Sequence, residues 1–235
     1  MQLFFNTEIN QESKSFTFDK DESRHIVKVL RKKEGDTIFI TNGAGLLFTS
    51  IVELANDKKC VVKIINIKVH KKPWNYYLHI AIAPTKLNDR FEWFLEKATE
   101  IGIDEITPLI CDHSERKIVK YDRMEKIIHS AAKQSLKYHF PKLNEQINFH
   151  NFITNHTKGT LLIAHCEDAE KQNLKTIANS LNQITILIGP EGDFSSKEIL
   201  QSLQHNYIPV SLGASRLRTE TAGIVAVHSI AFLNE

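Results

Sequence analysis

Up to about residue 70 the apolar positions fall in short runs that suit strands. Lys14–Phe18, Asp36–Asn42, Leu46–Leu54 and Lys59–Val69 are rich in Phe, Ile, Val and Thr, with turn residues at Glu34-Gly35-Asp36 and Asn42-Gly43. One interruption, roughly Glu22 to Arg31, reads as a helix that turns Ile26, Val27 and Leu30 inward. The pattern predicts a small β-barrel over residues 1–70. His70–Trp74 then breaks it and reads as a linker punctuated by Pro73. From residue 74 the period changes. Tyr77–Ala83, Glu105–Ile110, Thr160–His165, Ile184–Gly189 and Ile208–Gly213 read as strands, and helical stretches alternate with them. Phe91, Phe94, Leu95, Ala98 and Ile101 form one apolar stripe on a helix from Arg90 to Ile101. Such alternation predicts an α/β domain over residues 74–235 with a mainly parallel sheet.

In sheets of that kind ligands bind beyond the carboxyl ends of the strands. Three loops leave strands there: after His165, at Gly189-Pro190-Glu191-Gly192, and at Leu212-Gly213-Ala214-Ser215. The second loop runs from a buried strand into a helix. Gly189 and Gly192 would allow positive φ, and Pro190 would hold the loop's shape. It lacks the GxxxxGK[ST] and GxGxxG patterns, so it does not read as a phosphate cradle; a plain tight turn fits it too. The third loop continues into Arg216, Leu217, Arg218 and a helix, with Thr219 as the expected N-cap and Glu220 suited to the first turn. Cations just before a helix N-terminus are disfavoured. Arg216 and Arg218 therefore either pair with Glu191, Asp193 or Glu220, or serve a purpose outside the fold. The helix that follows is apolar around most of its circumference, from Ala222 to Leu233, which predicts burial on several faces, one of them against a second subunit.

Composition changes this picture little. The 235 residues carry 42% hydrophobic and 25% charged residues and a net charge of +2, so a nucleic-acid surface would have to be local. Arg24, Lys28 and Arg31 lie at helical spacing, with Lys32 and Lys33 after them; Lys133, Lys137, His139 and Lys142 lie around Tyr138 and Phe140. Basic residues near aromatic rings suit RNA, and equally suit a solvated surface. The three Cys and eleven His show no metal-ligand spacing, so no metal is expected. An odd count of Cys without a CxxC, no apolar run of membrane length and no signal-peptide start suit a soluble cytoplasmic protein.

Five stretches in order—His25–Asp36, Lys86–Leu109, Lys133–Leu143, Ile188–Ile199 and Leu212–Ala222—together resemble the RsmE family of ribosomal RNA methyltransferases, of the SPOUT class. The resemblance spans nearly the whole chain. It implies a PUA-like barrel, an α/β domain tied in a trefoil knot, a homodimer, and S-adenosyl-L-methionine as methyl donor to N3 of a uridine in 16S ribosomal RNA of the small subunit. It implies that the cofactor lies against Ile188, Gly189, Pro190, Glu191 and Gly192, and against Leu212, Gly213, Ser215, Leu217, Arg218, Thr221 and Ala222. Arg24, Lys28, Arg31, Lys32, Lys133, Gln134 and Lys137 become the candidate RNA contacts. Where the family reads GPEGG, this chain has Asp193 in the last position; that could shift the loop slightly, or its carboxylate could pair with Arg216 or Arg218.

Methylating uridine N3 requires loss of its proton and stabilisation of charge at the uracil oxygens. Arg218 is the candidate for the second task, Glu191 and Glu220 for the first. A methyltransferase acting on a ribose 2′-OH, or an RNA-binding assembly factor without catalysis, would share much of this pattern.

Overall fold

The computed structural model describes residues 1–177 and 183–235, in two compact units: Met1–Pro73 with Ala132–Phe140, and Trp74–Ala131 with Pro141–Glu235. In the first unit a five-stranded sheet has the order β1-β3-β4-β5-β2. Its strands are β1 (Leu3–Phe5), β2 (Ser15–Thr17), β3 (Thr37–Thr41), β4 (Leu46–Leu54) and β5 (Val61–Val69). All pairs are antiparallel except β1 with β3. Phe4, Ile26, Ile38, Ile40, Phe48 and Val62 fill the core. β1 is too short to announce itself by alternation and is recruited by its partner strand.

The helix in this unit departs from expectation. It starts earlier, because Asp19 caps it by accepting a hydrogen bond from Glu22 N at 2.8 Å. α1 (Lys20–Arg24) passes into a π-helical turn, His25–Val29, and Arg31 lies beyond it in the left-handed region at φ 56. A wider turn and a left-handed residue remove Arg31 from the stripe predicted for Arg24 and Lys28. The single boundary expected near residue 70 also changes, since the chain returns to this unit. Phe140 N donates to Gly43 O and Gly45 N to Tyr138 O, each at 2.8 Å, and the Phe5 and Phe140 rings stack at 4.4 Å.

The second unit is built on a sheet of order β11-β13-β10-β12-β6-β7-β8, with β9 also on β7. Its strands are β6 (Tyr77–Ile82), β7 (Glu105–Ile110), β8 (Lys142–Leu143), β9 (Ile147–Asn148), β10 (Thr160–Ala164), β11 (Gln172–Asn173), β12 (Gln183–Ile188) and β13 (Ile208–Ser211), and every pairing is parallel. Both faces are covered, so the strands read as continuous apolar runs. Leu78, Ile80, Ile82, Leu162, Ile184, Ile186 and Ile188 pack on one side, with α2 (Asn88–Ile101), α3 (Tyr121–Gln134) and α7 (Thr219–Leu233). Ala81, Leu161, Ile163 and Leu187 pack on the other, with α4 (Phe149–Asn155) and α6 (Ser196–Gln204). A short α5 (Leu174–Ile177) follows β11.

α7 approaches the sheet closely because of Gly223. A Cβ there would stand 2.7 Å from the Phe94 ring and 2.8 Å from Ile82 Cδ1. The helix buries Gly223, Ala226, Val227 and Ile230, while Phe232 is 66% exposed. Its apolar circumference is thus only partly buried within this chain. No helix among the described residues is long and apolar enough to cross a membrane.

Candidate active site

The three loops singled out from the sequence leave β10, β12 and β13, which are neighbours in the order β13-β10-β12. β10 comes first in the chain and lies between the other two, so the strand order reverses at this point. A crevice at such a switch, beyond the carboxyl ends of the strands, is where open α/β sheets hold ligands. Two adjoining cavities lie there. The first, about 350 Å³, is lined by His165, Lys171, Leu212, Gly213, Ala214 and Ser215, among others. The second, about 340 Å³, is lined by Ile188, Gly189, Pro190, Glu191, Asp193, Arg218 and Thr219, among others. Ala164, Cys166, Arg216, Leu217 and Ala222 line both.

The Gly189–Asp193 loop is fixed by bonds from several directions. Asp193 N donates to Pro190 O at 2.9 Å and closes the turn. Lys86 N donates to Glu191 Oε1 at 2.9 Å. Thr219 Oγ1 donates to Gly189 O at 3.1 Å and ties the loop to the start of α7. His113 Nδ1 lies 3.1 Å from both Gly192 O and Asp193 O, so that nitrogen carries the proton. Beyond the loop, Ser195 and Glu198 form a reciprocal capping box at the start of α6.

Expectation and structure part company at the glycines. Neither Gly189 nor Gly192 has positive φ. The left-handed residue is Asp193, at φ 63. Gly189 is needed for space instead, since a Cβ would stand 3.0 Å from the Phe194 ring and 3.2 Å from Phe194 N. Gly192 backs onto His113 Cβ at 3.2 Å and lines neither cavity. Asp193 makes its conformation useful. Its Oδ2 accepts from Cys166 N at 2.7 Å and its Oδ1 from Phe194 N at 2.9 Å. The carboxylate therefore joins the loops after β10 and β12, and pairs with neither Arg216 nor Arg218.

The second wall differs. Gly213, Ala214, Ser215, Arg216 and Arg218 are exposed. Gly213 has φ 132 and open space where a Cβ would be. Arg218, not Thr219, is the N-cap of α7, and it caps without a side-chain bond; Thr219 is drawn inward by Gly189 O. Among the described residues neither Arg216 nor Arg218 has an ion-pair partner.

Glu220 is buried, its Oε1 3.7 Å from Arg90 Nε and its Oε2 without a partner. Neither Glu220 nor Thr221 lines a cavity. Lys171 and His165, which no motif in the sequence marks, both line the first cavity. His165 is 7% exposed with both ring nitrogens unpartnered. Burial pushes its pKa below 6.5, Lys171 adds to the shift, and Asp193 and Glu167 oppose it. The available signal was its position immediately after a strand that ends at a binding crevice. No group of three or more His, Cys, Asp or Glu among the described residues is placed to hold a metal.

The seven candidate RNA residues all belong to the first unit, because Ala132–Phe140 joins it. Arg24, Lys28, Arg31 and Gln134 are exposed. Lys28 lies 3.6 Å from Asp57, and Lys133 lies 3.3 Å from Glu22. Both cations are thus shared with local carboxylates.

Comparison with known proteins adds independent findings. Residues 72–231 match the model of an RNA methyltransferase domain, and residues 18–65 that of an RNA methyltransferase PUA domain. The ribosomal RNA small subunit methyltransferase E of Buchnera aphidicola subsp. Acyrthosiphon pisum is 32% identical over 224 residues, 92% of this chain and 87% of that protein. The crystal structure of a probable rRNA-methyltransferase from Porphyromonas gingivalis superposes with a TM-score of 0.92 at 42% identity, covering 100% of this chain and 98% of that one. A ribosomal RNA small subunit methyltransferase E from Neisseria gonorrhoeae, bound to S-adenosyl methionine, gives a TM-score of 0.87 at 25% identity, covering 99% and 98%.

Proposed function

The chain belongs to the RNA methyltransferase family, and we propose that it transfers the methyl group of S-adenosyl-L-methionine to N3 of a uridine in 16S ribosomal RNA. The observation that carries this reading is the pair of adjoining cavities at the switch point, walled by the stretches that carry the family resemblance. Their volumes fall in the range of ligand pockets, ~300–1,000 Å³. Small and apolar residues form much of their walls, among them Ile188, Gly189, Leu212, Gly213, Leu217 and Ala222. Such walls suit an adenosyl group, and no phosphate-cradling motif is needed for a donor without phosphate. The strand order supports a threaded path as well, since the chain passes from β12 to the far side of β10 to make β13.

When bound, S-adenosyl-L-methionine supplies an electrophilic methyl group on a sulfonium sulfur. The chain's part is to position N3, take its proton and stabilise the negative charge that spreads to the uracil oxygens. Arg218 is assigned the last task. It lines the second cavity, is exposed and has no carboxylate partner among the described residues, so its charge is available to a substrate. Glu191 is assigned the proton. Its Oε1 is held by Lys86 N, which fixes the side chain at the second cavity and leaves Oε2 to accept. Glu220 is set aside because it lines neither cavity. The basic residues of the first unit are assigned to RNA phosphates. The exposed Phe232 and the half-buried Ile224, Val225 and Leu233 of α7 are assigned to a two-fold dimer contact.

The test is to incubate the protein with labelled S-adenosyl-L-methionine and small ribosomal subunits lacking the modification, then map the methylated nucleoside by mass. Label at uridine N3 supports the reading. Label on a ribose oxygen would keep the methyltransferase and replace the substrate atom. Cofactor binding with no label on any RNA would leave an assembly factor.

A further inference from the structure

The first cavity contains polar groups that the methyl-transfer assignment does not use. His165 follows β10 directly, is nine-tenths buried, and has neither ring nitrogen bonded. An unsatisfied buried imidazole is costly unless a ligand completes it. Lys171 and Arg216 line the same cavity, have no ion-pair partner among the described residues, and no carboxylate joins them in its lining. The second cavity differs, with Glu191 and Asp193 in its wall. The first cavity is therefore the electropositive one.

We propose that His165, Lys171 and Arg216 form an anion subsite, and that its occupant is the α-carboxylate of the cofactor's amino-acid portion. The inference rests on the cofactor reading above and adds where that end of the molecule is held. A carboxylate at the end of a flexible chain can enter a cavity of about 350 Å³ and reach a buried ring. An RNA phosphodiester, flanked by nucleotides on both sides, is less able to bring its charge to a ring that is only 7% exposed. Four charged groups act on the imidazole or share its cavity. Lys171 favours its neutral form, and Arg216 shares the cavity lining. Asp193 and Glu167 favour the charged form, but their carboxylates are bonded to Cys166 N and Phe194 N, and to Ser196 Oγ.

A proton linkage follows. Free His165 titrates below 6.5, so at pH 7 the ring is neutral and donates through one N–H. A bound carboxylate stabilises the charged ring and raises its pKa. Binding should then take up protons and strengthen as the pH falls from 8 towards 6.

Calorimetry on the full chain tests this with two ligands, S-adenosylhomocysteine and 5′-methylthioadenosine, which lacks the amino-acid portion. His165→Ala should weaken S-adenosylhomocysteine about tenfold or more, the scale of a hydrogen bond to a charged group, and 5′-methylthioadenosine less than about twofold. Heats measured in buffers of different ionisation enthalpy should show proton uptake for the first ligand with wild-type protein, and none with the variant. Should His165→Ala fail to fold, the double change Lys171→Ala, Arg216→Ala at less buried positions decides the matter by the same selective loss. Equal loss for both ligands, or wild-type binding without proton uptake, overturns the subsite. Unchanged S-adenosylhomocysteine affinity with weakened RNA binding overturns the carboxylate assignment in favour of a phosphate. Wild-type protein that binds neither nucleoside overturns the methyltransferase reading, and this inference with it.

Discussion

The two walls of the candidate site are built on opposite principles. The Gly189–Asp193 wall is bonded on every side, to Lys86 N, His113, Cys166 N and Thr219. The Leu212–Arg218 wall has little among the described residues beyond a local Ser211–Gly213 hydrogen bond, and its two arginines are exposed with no ion-pair partner there. A wall fixed before a ligand arrives gives shape at no ordering cost on binding. A wall with free cations gives charge that can meet a substrate. The difference teaches that the first wall should fail through geometry and stability, and the second through chemistry.

The largest expected effect is therefore on the free wall. Arg218→Ala should lower the single-turnover methyl-transfer rate roughly 10²–10³-fold, the scale of removing one charge-stabilising donor. Cofactor and RNA affinities should change far less, because the interaction strengthens only as charge develops. Raising the pH should partly restore the rate by ionising more of the uridine. A variant with a normal rate at saturation and weak cofactor binding would move Arg218 to the fixed wall's role.

On the fixed wall, Asp193→Ala should cost about 1–3 kcal/mol of stability. It keeps a left-handed backbone without a tolerant side chain and leaves Cys166 N unbonded. Asp193→Gly loses the same bond but relaxes the backbone, so its cost should be smaller by about 1 kcal/mol. Denaturant melts of both variants measure the gap. Equal costs would mean that the Cys166 bond, rather than the backbone, accounts for the whole effect.

How much of this was legible follows from what each feature depends on. The central strands of both units were readable because alternation or continuous apolarity records a buried face directly. The three loops were readable because turn residues interrupt those runs. β1 was not, since three residues carry no period and its place depends on a distant partner. Nor was the return of Ala132–Phe140 to the first unit, which rests on Gly43 and Gly45 accepting or donating across long sequence separation. The residue types of the three loops were readable, but not their conformations. Residue type points to Gly189 and Gly192 for positive φ, whereas Asp193 holds it, with its carboxylate accepting from two backbone N–H groups. A single histidine such as His165 has no pattern; only burial without a partner distinguishes it.

The contrast between space and backbone sharpens at two glycines. Gly213→Ala meets nothing within 4 Å but must hold φ 132, so it should cost about 1–2 kcal/mol through strain alone, or shift the exposed loop and cost less. Gly189→Ala has no backbone penalty of that kind but pushes against Phe194. The first should spare melting temperature more than cofactor affinity, and the second should lower both. Binding calorimetry beside thermal melts separates them; matching profiles would erase the distinction between the walls.

The smallest expected effect lies at a pair set deeper in the same sheet, on β6 and β7. His79 is buried with Nε2 2.7 Å from Thr107 Oγ1 and Nδ1 3.8 Å from Glu105 Oε2. Burial lowers its pKa below 6.5; Glu105 opposes that shift, while His156 and Lys142 add to it. The folded state thus prefers the neutral ring. Between the folded and unfolded pKa values the unfolded chain binds more protons, so stability is full above 6.5 and falls as the solution is acidified. Burial would raise the Glu105 pKa, but hydrogen bonds from Tyr77 and Asn144 and the charges of His79 and Lys142 hold it below 4.5. Its stabilising share is lost only at still lower pH. The melting temperature of the wild type should decline from pH 7 to pH 5, and His79→Gln should flatten that decline. Methyl transfer at saturating cofactor and pH 7 should hardly change in this variant, because the pair touches neither cavity. A His79→Gln protein with an unaltered acid slope would show that other groups, such as His165 in the crevice itself, govern the acid side.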